Sequence, residues 1–115
     1  MHIPKPTAEG RARFESLVPQ GPQVEVKPMF GSLGAFVNGN MFMGLFGPDV
    51  GVKLDPTDQA RLAKAGGGPF GPAERPMGGY LSLPAAFTEA ESKQWVATSL
   101  TYVGALPPKT KKPSR

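Results

Sequence analysis

Asn38-Gly39, set between two apolar runs, constrains the fold of this chain more than any other pair of residues. A two-residue type I′ hairpin turn needs positive φ at both central positions, and Asn-Gly adopts that geometry at low cost. The dipeptide predicts an antiparallel hairpin joining Leu33–Val37 to Asn40–Phe46. Gly47-Pro48-Asp49 is a second turn signal leading into Val50–Leu54, which extends the hairpin to a three-strand meander. With Val37 opposite Asn40 and Phe46 opposite Val50, side-chain alternation sorts the meander into two faces. One carries Leu33, Ala35, Val37, Phe42, Phe46, Val50, Val52 and Leu54 and reads as a core face. The other carries Phe36, Met41, Met43 and Leu45 with Gly34, Gly51 and Lys53, and is too apolar for open solvent.

The flanks of the meander read as helices and further strands. Thr7 caps a short helix with Phe14, Leu17 and Val18 on one face, stopped by Pro19. Val24 and Val26 alternate with Glu25 and Lys27 in an edge strand closed by Pro28. Asp55-Pro56 opens a second helix, which passes Leu62 and ends at Gly66-Gly67-Gly68. Tyr80, Leu81 and Leu83 suggest one more strand. Thr88 and Glu91 then form a capping box for a last helix striped by Val96, Leu100 and Val103, with Trp95 and Tyr102 broadening the stripe. The expected fold class is α+β, a mostly antiparallel sheet around the meander with flanking helices, in the order α-β-β-β-β-α-β-α.

A length of 115 residues suits one domain, here placed at residues 1–106, with residues 107–115 as a flexible basic tail. Of the 13 basic residues, Lys109, Lys111, Lys112 and Arg115 sit in that tail, and the remaining nine balance the nine acidic ones. The basicity therefore belongs to the tail and not to the domain. No cysteine is present, which rules out disulfides and cysteine-ligated zinc. No apolar run approaches the roughly 18 residues of a membrane helix, and the N-terminus lacks the apolar stretch of a signal peptide, so the expectation is a cytoplasmic chain away from membranes.

Chemistry-bearing patterns are sparse. The single histidine, His2, stands in a Pro-punctuated segment with no converging partners, so no nucleophile–base pair can be assembled around it. Residues 66–71 formally satisfy GxGxxG, but they follow a helix and contain Pro69, whereas a dinucleotide site requires a strand before the motif and a helix after it. Most of the nine carboxylates, Asp55 and Asp58 included, fall at caps, turns or exposed helix faces, where a structural role accounts for them. The sequence therefore leads to a non-catalytic chain without cofactor or metal. An enzyme using an unfamiliar carboxylate or metal site is the weakest alternative.

Two features remain for binding. The second sheet face, Phe36, Met41, Met43 and Leu45, is a candidate interface for a protein partner or a second copy of the chain. The tail cations Lys109, Lys111, Lys112 and Arg115 offer weak contact to nucleic acid with only a shallow salt dependence, and no aromatic stands among them to stack on bases.

An ordered series of residues adds a resemblance. Met29-Phe30-Gly31, Gly34, Val37, Asn38-Gly39, Met41-Phe42 and Val52-Lys53-Leu54-Asp55, followed by Gly68-Pro69-Phe70, Arg75-Pro76-Met77, Tyr80 and Leu83-Pro84, resemble the TfoX (Sxy) N-terminal domain. The resemblance spans about residues 8–105. It implies an α+β fold of antiparallel strands with flanking helices and a role in regulation, since full-length TfoX proteins promote expression of DNA-uptake (competence) genes together with a transcription activator. It supplies no catalytic residues. Full-length members carry a further C-terminal domain similar to DNA-binding helix-hairpin modules. Here the short basic tail stands in that place, so the expectation is a stand-alone N-terminal domain acting as a regulatory or protein-interaction module. Ser32-Leu33, Gly51 and Gly79 stand where typical members carry glycine–aromatic or aromatic residues, which implies a remodelled sheet surface.

Overall fold

The computed structural model describes residue 5 and residues 7–29, 32–71 and 77–107 of the chain. Each helix starts at the cap its sequence provides. Thr7 Oγ1 accepts the Gly10 N–H at 2.9 Å to open α1 (Ala8–Leu17). Asp55 Oδ1 accepts the Asp58 N–H at 2.8 Å to open α2 (Pro56–Lys64), with proline in its first turn. At α3 (Glu89–Gly104) the capping box closes in both directions, Glu91 N–H to Thr88 Oγ1 at 3.1 Å and Thr88 N–H to Glu91 Oε1 at 2.8 Å. These bonds satisfy N–H groups that have no partner inside the helix.

The strands are β1 (Val24–Met29), β2 (Ser32–Val37), β3 (Asn40–Phe46), β4 (Asp49–Lys53), β5 (Gly68–Pro69) and β6 (Tyr80–Ser82). They form one sheet in the order β1-β2-β3-β4-β6-β5, and every neighbouring pair is antiparallel. The expected α+β class and element order hold, with the two-residue β5 added between α2 and β6. Asn38 and Gly39 take φ of 53° and 81°, the signs a type I′ turn needs, and Val37 stands opposite Asn40 as expected.

All three helices lie on one side of the sheet. α3 crosses β2, β3 and β4, α1 packs beside it over β3 and β4, and α2 packs against β6. Between these layers sits the main core: Phe14 and Leu17 of α1, Leu62 of α2, Val96 and Val103 of α3, and Ala35, Val37, Phe42, Met43, Leu45, Val50, Val52, Leu54 and Leu83 of the sheet and its margins. The most buried stripe of α3 is Ser92, Val96, Ser99 and Val103, so small residues alternate with valine where the helix meets the sheet. Leu100, Trp95 and Tyr102 flank that stripe half-buried. Arg13 fastens α1 to the start of α3, donating to the Pro84 carbonyl at 2.8 Å and to Ser92 Oγ at 3.4 Å. Burial lowers the pKa of its guanidinium, and Asp49 nearby opposes that shift.

The two faces of the meander differ from the sequence expectation at three residues. Met43 and Leu45 lie in the helix-side core and not beside Phe36 and Met41, while Phe46 leaves the core face for the opposite one. The cause is a β-bulge. Phe36 pairs with Met41 and Ala35 with Met43, so Phe42 is an extra residue that both inverts the alternation and turns its own ring into the core. At the other end the strand resumes one residue earlier than expected: Phe46 faces Asp49, and Leu45 faces Val50. A one-residue slip exchanges the faces of every side chain beyond it. The bulge also frees the Phe42 carbonyl for a buried bond from Ser99 Oγ at 2.7 Å.

Candidate interaction surface

The face of the sheet turned away from the helices is built on a row of small residues. Register aligns Gly34, Gly44, Gly51, Ser82 and Gly68 across five adjacent strands. A sheet without side chains along one row is a trench, and here the chain fills it with its own Phe70. A Cβ on Gly51 would stand 2.3 Å from Phe70 Cδ1, and one on Gly44 would meet Met41 Sδ at 3.5 Å and Phe70 Cε2 at 3.5 Å. Phe70 is 2% exposed. Its ring meets Phe46 edge-on with centroids 6.3 Å apart and Tyr80 at 6.2 Å in a tilted arrangement, both favourable aromatic geometries. The Met77 N–H donates to the Phe70 carbonyl at 2.8 Å and pins the segment that carries the ring.

Tyr80 borders this small second core. Its hydroxyl donates to the Met41 carbonyl at 2.8 Å, and burial pushes its pKa up to about 12, so the group stays protonated and acts as a fixed donor. Around the filled trench, Phe36, Phe46 and Tyr80 remain half-buried. Lys27 Nζ lies 5.0 Å from the Phe36 ring centroid and Lys53 Nζ 5.8 Å from that of Tyr80. The result is an aromatic surface overlaid by two ammonium groups, a pattern that suits contact with a partner presenting both apolar and acidic groups.

The four residues expected to form an interface are thus divided. Phe36 is half-buried on this surface and Met41 is 9% exposed at the trench wall, whereas Met43 at 0% and Leu45 at 4% belong to the opposite core. Phe46 and Tyr80 join the surface instead, over the buried Phe70. Sequence periodicity alone could not place Phe70, because it lies outside any strand; the aligned glycines were the available signal. Lys109, Lys111, Lys112 and Arg115 lie outside the described residues, as does His2.

The described residues hold no group of three or more His, Cys, Asp and Glu placed to share a metal ion. Asp55 and Asp58 line a shallow, open depression with Ala97, Thr98, Thr101, Tyr102 and Ala105. Both are engaged: Asp55 caps α2, and Asp58 pairs with Arg61 at 2.8 Å. No helix among the described residues is long and apolar enough to cross a membrane.

No curated protein matches this chain. The family model for the TfoX N-terminal domain matches residues 15–102, from the last turn of α1 to the last turn of α3, and so includes the bulged meander, the glycine trench and Phe70. By that match, the chain belongs to the TfoX N-terminal domain family.

Proposed function

We propose that this chain is a non-catalytic regulatory domain that works by binding a protein partner through the sheet face bearing Phe36, Phe46 and Tyr80. One observation carries the reading: the aromatic groups left half-exposed on that face surround a filled trench, and two lysines overlie them. Aromatic residues with a polar fringe are the composition of protein contact sites. Family membership supports a place in regulation. The finer expectation is control of DNA-uptake gene expression alongside a transcription activator.

Capture from cell extract, quantified for each protein retained, tests this. Proteins held by the wild-type chain should be lost with F36E and kept with K93E, a change on the exposed face of α3. The same set retained by F36E would remove this face from consideration.

The basic run Lys109–Arg115 supports a second reading, a weak nucleic-acid accessory. Deleting residues 107–115 should then abolish a mobility shift with duplex DNA at low salt. Equal binding by the shortened chain would exclude it.

A further inference from the structure

We propose that β1 is a self-pairing edge, at which two copies of this chain join antiparallel about a two-fold axis through Val26. The two surfaces meet at Lys27, which overlies Phe36, but they separate at Val26, which points to the other side of the sheet from Phe36. Register shows this: Val26 faces Ala35 of the core side, while Glu25 faces Phe36.

Three observations meet at this strand. β1 ends the sheet, so among the described residues its outer edge has no neighbouring strand. Helix α3 packs mainly over β2, β3 and β4. Val26 is accordingly 45% exposed, a large apolar side chain standing in solvent among otherwise covered ones.

The phase of the strand decides which backbone groups face outward. Pro28 has no N–H and fits an antiparallel ladder only where its nitrogen points away from β2. Residues 24 and 26 share that phase, and the Val24 N–H is in fact bonded to the Gly21 carbonyl at 3.2 Å. The N–H and C=O of Val26 are therefore directed to the free edge.

An axis through Val26 pairs that residue with itself, each copy giving one N–H and taking one. The flanking positions then oppose each other crosswise: Glu25 of one copy meets Lys27 of the second copy, and Lys27 meets its Glu25. Those are the non-hydrogen-bonded positions of the new ladder, where side chains approach most closely. Within one chain Glu25 and Lys27 are 3.7 Å apart with side chains 68% and 48% exposed, so both are free to exchange partners. The Glu-Val-Lys order is self-complementary under a two-fold axis, the requirement of an isologous interface. Pro28 on one side and the occupied Val24 N–H on the other limit the ladder to its centre. The dimer is consequently reversible, and forms with rising protein concentration.

Sedimentation velocity across concentration tests the proposal, with circular dichroism and melting temperature confirming that each variant folds. Wild type should pass from monomer to dimer. E25K and K27E should each lower the association constant about tenfold, since each creates two like-charge pairs per dimer. The double variant E25K/K27E should restore it. V26P should abolish the dimer while keeping the β2 pairing, which does not use the Val26 N–H. A monomer at every concentration would overturn the proposal, and so would a dimer on which the single and double charge variants act alike.

Discussion

The ring of Phe70 lies on the backbone of Gly51, so close that a methyl group on Gly51 would stand 2.3 Å from Phe70 Cδ1. No rotation of a ring 2% exposed, and held between Phe46 and Tyr80, relieves such an overlap cheaply. Gly51→Ala should cost about 2–3 kcal/mol and Phe70→Ala about 3 kcal/mol. The double variant should cost clearly less than the sum, because the alanine methyl then enters space the ring has left. Urea unfolding of the four proteins measures this; strict additivity would mean that the two residues do not share the trench.

Met43 and Phe36 should respond oppositely to charge. Met43 is 0% exposed in the helix-side core, and Met43→Lys buries an ammonium with no partner, costing upwards of about 4 kcal/mol. The variant is expected to be unfolded and not a well-folded protein with altered association. Phe36→Glu, at a half-buried site beneath Lys27, should cost about 1 kcal/mol and keep a cooperative melt. Thermal melts of the two variants check the face assignment, and a stable Met43→Lys protein would contradict it.

Ser99 holds the bulge to α3. Its hydroxyl is the donor to the Phe42 carbonyl inside the core, and Ser99→Ala leaves that acceptor without this partner. A loss of about 1–3 kcal/mol is expected, larger than for a surface serine such as Ser16. Parallel denaturation of S99A and S16A gives the comparison, and equal losses would show that the bond adds nothing.

Tyr80 should make the fold sensitive to strong base. Its hydroxyl has a pKa near 12 when folded against 10.0 for the ordinary group, so between those values the unfolded chain binds fewer protons than the native one. Stability is then full below about pH 10 and falls as pH rises through 12. Tyr80→Phe loses the bond to the Met41 carbonyl but should flatten this part of the pH profile relative to wild type. Unfolding free energy measured at several alkaline pH values tests it, and parallel profiles would assign the slope to other groups.

Local chemistry made much of the fold legible in the sequence. Thr7, Asp55 and Thr88 act within four residues of themselves, so their helix starts could be read without tertiary context. The same holds for Asn38-Gly39, whose φ angles are a property of the dipeptide. The apolar runs then required antiparallel pairing and helices to cover one face, and the family resemblance named in the sequence agrees with the family match across residues 15–102. The assignment of Met43, Leu45 and Phe46 to faces failed for a definite reason. Alternation is reliable only while pairing is regular, and a bulge carries no obligatory residue type when its extra position is a phenylalanine.

By itself the sequence determined the Asn38-Gly39 turn, the helix starts, the antiparallel class and the absence of cysteine chemistry, because each follows from backbone preference or from composition. Tertiary structure alone decided the faces of Met43, Leu45 and Phe46 and the place of Phe70. The Phe42 bulge is fixed by its ring entering the core and by Ser99 reaching its carbonyl, contacts made by residues 57 positions apart. Likewise Gly51 became a floor only once Phe70, from beyond α2, was brought to rest on it. Both outcomes depend on shape fit between distant segments, and no local pattern in either segment contains that fit.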